Sequence, residues 1–563
     1  MSDIHGFVSA PPGVQTYTDD PLPSRVDLAP PVPERRSRRW PQDTAQWVRR
    51  NQVDLVIVAA LILVVGLVHG IGMNASPAPV DDEGTYVAQG WAVVARHALT
   101  PYTYWYDHPP LGWILIGVWG WFTHGFRPGQ LAVVTGREFI LVTQLVATAL
   151  VYLIGRRLGL SRLGSAAAVL AWALSPLVVD YGRQVYLDNV ALPFLLGAFA
   201  LALTPRRGLW ALSAAGALLG AAVLCKETFL VFLPALAWQA WQQTDKRTRA
   251  FCLTGFLVGL AVVLVGYPLY ALLKGELLPG PGHVSLFDAI RFQLSGRQSS
   301  GNVFNATSQA GSQVRGWLHL DPWLLGAGTV LLPVAIWVRR LRPVGVAYLI
   351  GLLVGVHGGY LPEPYLIALL PLAALVAVGG VAALAGALPP GRGALGERRP
   401  RHRMATVRMA VVLAAAGAVT VVGVAPAWAR ADRSIMTTDA WGPYRQAEAW
   451  VEANVSHQSR ILVDDTMWVD LEQHGFDHHL QVVWFYKLGF ANNLDPSVAR
   501  SLPGGWKDFR YVIVTPSMRG ALVDNPRQET EVQDAISHSS VVARFGTGTA
   551  EIDIRRVNNG GRT

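Results

Sequence analysis

The sequence predicts a polytopic α-helical membrane protein carrying a C-terminal α/β domain. Three observations predict it. The 563 residues are 51% hydrophobic and only 15% charged, with 20 tryptophans and a mean hydropathy of +0.30, more apolar surface than a water-soluble fold needs. Apolar runs of bilayer-crossing length recur through residues 51–429, separated by short clusters of Lys and Arg. From residue 430 the texture changes: charges and histidines appear, and strand-like runs alternate with helical patterns.

Residues 1–50 are rich in Pro, Arg and Asp and lack the apolar stretch of a signal peptide, which predicts a disordered cytoplasmic tail. The net charge of +9 would suit nucleic acid, but the basic residues sit between apolar runs. That placement sets membrane topology, and no nucleic-acid partner is expected. The two cysteines, Cys225 and Cys252, lie in or beside apolar runs and suggest neither a disulfide framework nor a metal site.

The first span, 55–73, follows Arg49 and Arg50 and therefore runs from inside to outside. Residues 74–136 then form the first outer loop. Within it, the short Trp-rich stretch 111–126 reads as a re-entrant or interfacial helix. Further spans are expected at 137–155, 165–179, 189–204, 209–225, 229–242, 251–273, 322–338, 344–357, 364–388 and 404–429. Every basic cluster between them then falls on one face. The result is about eleven transmembrane helices in the cytoplasmic (inner) membrane, with residues 430–563 extracytoplasmic. Strands are expected in "RILVDD", "LQVVWFY", "RYVIVTP", "VVARFG" and "AEIDIRRV". No Gly-rich phosphate cradle is seen there, so no nucleotide cofactor is expected.

Candidate chemistry begins where the first span ends. Asp81, Asp82 and Glu83 are consecutive, and adjacent like charges need cations or a metal nearby. An amphipathic stretch, "TYVAQGWAVVARHA", is expected to lie flat on the membrane. Asp107 and His108 follow, and Pro109 and Pro110 stop any helix there. Other outer connections bring Asp180, Arg183 and Asp188; Lys226 and Glu227; His283, Arg291 and Arg297; and His357 and Glu363. One loop carboxylate is ordinary, but ionisable groups gathered at membrane level mark function. The cations suit a lipid phosphate, and the carboxylates suit a base acting on a hydroxyl. In the C-terminal part, Asp464 and Asp465 end a predicted strand, where ligands bind in α/β sheets. His474, His478 and His479 read either as a metal cluster or as a solvated turn.

The run Asp82-Glu83-Gly84-Thr85-Tyr86, then "PY", then "DHPPLGW", resembles the opening of the polyprenyl-phosphate-sugar-dependent glycosyltransferases of the GT-C fold. The nearest patterns are the protein O-mannosyltransferases and the aminoarabinose transferases acting on lipid A. "GRQVYLDN", "LCKETFL" and "GGYLPEPYLIALLP" resemble later elements of that family, so the likeness covers about residues 50–390. It implies an inverting transfer of a pentose or hexose from a polyprenyl-phosphate carrier to a hydroxyl acceptor: an envelope glycan, glycolipid or protein. The base role falls on Asp82, with Glu83 beside it and Asp81 an alternative one residue away. Tyr86 is then a substrate contact. In the aminoarabinose branch the pair before Pro-Pro is acidic then basic; here it is Asp107-His108. Whether that pair holds a divalent metal, the phosphate, or only the loop stays open. The Ala, Gly and Arg content suits a high-GC actinobacterium, with decaprenyl phosphate as carrier and mannose or arabinose as donor sugar. A lipid-linked sugar flippase and a membrane-anchored glycan-binding protein are the alternative functions.

Overall fold

Pro41 stands in the first turn of the first helix, where its missing N–H is not needed, so that helix starts earlier than the hydropathy alone suggests: α1 spans Trp40–Gly70. The computed structural model describes residues 40–204, 208–281, 283–388, 403–489, 495–524 and 529–558. The expected tail thus lies outside the described residues up to position 39, and residues 40–50 are helical rather than tail. Much of the basic evidence for topology, at 205–207 and 391–402, also lies outside them.

Beyond α1 come α2 (Asp81–Ala95), α3 (Leu111–Thr123), α4 (Ala132–Leu158), α5 (Arg162–Ala173), α6 (Pro176–Tyr181), α7 (Leu187–Ala202) and α8 (Leu209–Cys225). Then follow α9 (Leu233–Gln243), α10 (Arg249–Leu264), α11 (Gly266–Leu273), α12 (Leu286–Arg291), α13 (Gln309–Leu320), α14 (Pro322–Trp337), α15 (Arg342–Val356), α16 (Leu369–Leu384), α17 (Arg403–Ala418) and α18 (Ala425–Thr437). Five stretches are long and apolar enough to cross a membrane: Val48–Gly70, Ala132–Leu158, Arg249–Leu273, Glu363–Leu384 and Thr406–Asn454. The pair α13 and α14, bent by 103°, makes a sixth if taken together. Shorter apolar helices occupy Leu111–Thr123, Leu187–Ala202, Leu209–Cys225 and Arg342–Val356. The chain is a multi-pass membrane protein, and fewer helices pass by length alone than the eleven expected. Prolines account for part of the difference. The expected span 165–179 is split between α5 and α6 because Ser175 precedes Pro176. The one expected at 229–242 starts with a tight turn at Glu227–Phe232 before α9.

The C-terminal part adds α19 (Gly442–Asn454), β1 (Ile461–Val463), α20 (Trp468–Gln473), β2 (Val482–Trp484), α21 (Phe485–Gly489), α22 (Pro496–Ser501), β3 (Tyr511–Val514), α23 (Pro516–Asp524), α24 (Thr530–Ser537), β4 (Ser539–Phe545) and β5 (Ile552–Val557). The strands form one sheet in the order β2-β1-β3-β5-β4. β1 runs parallel to β2 and β3, while β5 is antiparallel to β3 and β4. Four of the five strands fall within the runs expected, and β4 begins two residues before "VVARFG". Ile461, Leu462, Val463, Val482, Val483, Val512 and Ile513 are all buried, the continuous apolar pattern of strands covered on both faces.

Residues 56–563 form one unit, so the sheet does not stand apart from the helices. This corrects the expectation for α2. Instead of lying flat on a membrane, Tyr86, Val87, Ala88 and Ala92 are buried, and α2 packs among α3, α4 and α20. Its apolar face is wide enough to need cover on both sides.

Candidate active site

The sharp approach of the sheet to α2 begins at Gly84. A Cβ there would meet the Thr466 backbone nitrogen at 2.4 Å and the Asp465 carbonyl carbon at 2.5 Å. Only glycine lets the turn after β1 pack onto the first turn of α2. One residue on, the Thr85 hydroxyl donates to the Asp465 carboxylate and lies 2.9 Å from the Tyr486 hydroxyl. Asp470 accepts from the Ala132 backbone N–H at 2.8 Å, Arg96 pairs with Glu472 at 2.6 Å, and Thr103 donates twice to Asp495. The segment 80–132 is therefore held between the helices and the sheet. The carboxyl ends of β1 and β2 face it, as expected for ligand-binding α/β sheets.

Glu83 and Asp82 point into different surroundings. Glu83 is fully buried; Arg137 donates to both its oxygens at 2.8 Å, and the Val185 backbone N–H adds a third bond at 3.0 Å. Arg137 also donates to the carbonyls of Met73 and Pro77. The motif 183–189 thus serves partly to clamp Glu83. Both oxygens of Glu83 are committed, and Glu83 does not line the cavity. Asp82 is exposed and lines a cavity of about 430 Å³. The Asp81 side chain lies outside the described residues.

The cavity brings together Asp82, Tyr86, Asp107, His108 and Arg297 of the expected residues. It also takes in Thr85, Gln89, Tyr104, Trp105, Trp484, Tyr486 and Lys487, which sequence reasoning missed. The strand-end argument applied to Asp464 and Asp465 would have found Tyr486 and Lys487, because Phe485–Lys487 directly follows β2. Asp464 and Asp465 themselves sit behind the wall, buried against α2.

His108 is held from three sides. Lys226 lies 3.0 Å from Nε2 and Glu227 lies 3.0 Å from Nδ1. The Lys226 ammonium only donates, so Nε2 accepts and Nδ1 carries the proton toward Glu227. The His108 carbonyl accepts from the Tyr104 and Tyr267 hydroxyls. Burial opposes ionisation of Glu227, but His108 and Lys226 outweigh it and hold the carboxyl at about 2. Burial likewise disfavours the Lys226 ammonium, yet Glu227, Asp188 and Asp82 keep it above its usual range. Arg297 stacks over Tyr360 at 4.5 Å and donates to Gln293 at 2.7 Å.

Asp107 and His108 do not fit a metal pair. Both ring nitrogens of His108 are engaged, and an ammonium stands 3.0 Å from one of them, where a second cation would be repelled. Among the described residues, no group of three or more His, Cys, Asp or Glu is placed to hold a metal; His474, His478 and His479 form no such cluster.

The other expected contacts lie off the cavity. Lys226 and Glu227 back His108 without lining the space. Asp188 is buried behind them. Arg183 is buried and donates to the Val68 carbonyl. Glu363 accepts from Tyr181 at 2.7 Å. His283 contacts its own loop at the Leu278 carbonyl. Arg291 and His357 are exposed.

Residues 107–267, from Asp107 through Lys226 and Glu227, match the family model described as dolichyl-phosphate-mannose-protein mannosyltransferase. No curated protein sequence matches the chain. Among solved structures, ArnT from Cupriavidus metallidurans bound to undecaprenyl phosphate superposes with a TM-score of 0.54 at 16% identity, covering 89% of this chain and 97% of that one. The archaeal oligosaccharyltransferase AglB from Archaeoglobus fulgidus, in complex with an inhibitory peptide and a dolichol-phosphate, superposes with a TM-score of 0.51 at 12% identity, covering 90% and 74%. The fold of this chain is GT-C-like, as the motifs at 82–86, 107–113 and 182–189 implied.

Proposed function

We propose that this chain is an inverting glycosyltransferase of about eleven spans. It moves a pentose or hexose from a polyprenyl-phosphate carrier to a hydroxyl of an envelope glycan, glycolipid or protein. The site faces the extracytoplasmic side of the cytoplasmic membrane. The observation that carries this reading is one cavity lined by the Asp82 carboxylate and by two cations, Arg297 and Lys487.

In this mechanism the acceptor hydroxyl gives its proton to Asp82 as its oxygen bonds to C1 of the sugar. The bond from C1 to the phosphate oxygen breaks on the opposite face, so the configuration inverts and no covalent enzyme intermediate forms. The released lipid phosphate gains charge as it leaves, and Arg297 stabilises it. His108 acts as a strut: by accepting from Lys226 and donating to Glu227 it fixes positive charge behind the cavity wall. Excluding water matters, since water would compete for C1; Tyr86, Tyr104 and Trp105 supply the apolar wall. No step needs a nucleotide or a metal ion.

The test is mass spectrometry of polyprenyl-phosphate sugars and envelope glycans in a deletion strain. The donor should accumulate and one glycan residue should vanish. Wild-type chain should restore it, and the Asp82→Asn chain, expressed equally, should not. Restoration by Asp82→Asn would overturn the base assignment. Movement of lipid-linked sugar across liposomes with no glycoside formed would favour a flippase instead.

A further inference from the structure

Lys487 is a charged group at the cavity that the proposed chemistry leaves without a task. It sits on the short helix α21, directly after β2, and its side chain is only 13% exposed. Burial pushes its ammonium below the usual lysine range, although Asp495 and Asp107 pull the other way. The nearest carboxylate, Asp495, is 3.8 Å away, beyond hydrogen-bond reach. Asp495 is already engaged by the Thr103 and Ser497 backbone and hydroxyl groups. Among the described residues no hydrogen bond reaches the Lys487 ammonium. What surrounds it is aromatic: Trp105 at 5.0 Å, Tyr102 at 5.4 Å and Trp484 at 6.0 Å. A desolvated ammonium with no hydrogen-bonded anion is costly to keep, unless an anion arrives from the cavity it lines.

The cavity is lined by two cations, Arg297 and Lys487. Arg297 and Asp82 both act on Lys226. Lys487 is drawn by Asp495 and Asp107. Arg297 suits the carrier's phosphate; Lys487 is ringed by Trp105, Tyr102 and Trp484, and flat aromatic faces are what sugar rings stack on.

We propose that Lys487, with Trp105 and Trp484, forms the acceptor subsite of this cavity and that the acceptor is a glycan bearing an anionic group, a carboxylate or a phosphate. The proposal rests on the transferase reading for the word acceptor; the anion preference itself does not. An anionic glycan docked there would give Lys487 a hydrogen-bonded anion and present a hydroxyl toward Asp82. The C-terminal part then selects the acceptor, and the helical part holds the donor.

The experiment is direct binding to the purified full chain in lipid nanodiscs. The probes are an oligogalacturonate, a phosphorylated hexose oligomer, and a neutral hexose oligomer of equal length. At least one anionic probe should bind about tenfold or more tighter than the neutral one, the scale of one charge-assisted hydrogen bond. Whichever anion is preferred names the group. Lys487→Met should erase the preference and Lys487→Arg should keep it, with melting of both checked against wild type. Equal binding of all three probes by the wild-type chain would overturn the proposal without recourse to any variant. So would an intact preference in folded Lys487→Met. If the preference stands while the wild-type chain transfers no sugar, the anion subsite survives and the transferase reading falls.

Discussion

Two charged clusters of this molecule, one among the helices and one at Lys487 beside the sheet, are held in opposite ways. The helices pair theirs: Glu83 and Arg137 are fully buried and bonded through both carboxylate oxygens, and His108, Lys226 and Glu227 form a closed chain. The sheet part brings Lys487 to the cavity with its nearest carboxylate at 3.8 Å. Paired groups hold geometry, because breaking them strands a charge. Loosely held groups are the ones available to a substrate. Asp82 and Glu83 repeat the contrast within two residues of sequence.

That contrast can be broken most severely at Asp82. Asp82→Asn should lower sugar transfer by about 10²–10⁴-fold, the usual share of a general base, while thermal unfolding of the purified chain stays where it was. Glu83→Gln should do the reverse. Losing one partner of a buried pair costs about 3–5 kcal/mol, so the melting temperature and the yield of folded protein should fall. An unchanged melting temperature for Glu83→Gln would erase the distinction between the two acids.

A smaller effect is expected where the two parts meet. Gly84→Ala forces the turn at Asp465 and Thr466 away from α2, and overpacking of this kind costs about 1–3 kcal/mol. Hydrogen exchange should quicken in residues 464–473 while the helices far from the contact keep their protection. Uniform loosening of the whole chain would show that the sheet part is not a separate contributor.

The smallest effect is a pH dependence. Burial pushes the Asp470 carboxyl well above the usual aspartate range. A carboxyl raised in the folded state favours docking below its unfolded value, and that contribution is lost as pH rises through the folded one. Protection of the Asp470 to Ala132 contact should therefore be greater at pH 5.5 than at pH 8. Asp470→Asn, which cannot ionise, should flatten the dependence at that contact. A pH profile of exchange identical in the two chains would remove Asp470 as its source.

The sequence by itself determined the elements that local chemistry specifies. Apolar length gave a multi-pass helical membrane protein, alternating and β-branched runs gave all five strands, and the double proline gave the break before α3. The motif at 82–86, with the one at 107–113, pointed to the GT-C-like fold and to the loop that carries the cavity. Tertiary structure alone decided which acid faces the cavity, because Asp82 and Glu83 differ only in what packs against them, and Arg137 and Val185 are distant in the chain. It also decided that Arg183, Asp188, His283, Arg291 and Glu363 stand off the cavity while Trp484, Tyr486 and Lys487 line it. No local pattern encodes a contact made across nearly 400 residues, such as that of Thr85 with Asp465 and Tyr486. It exists only because the sheet folds back onto α2 at a glycine small enough to admit it.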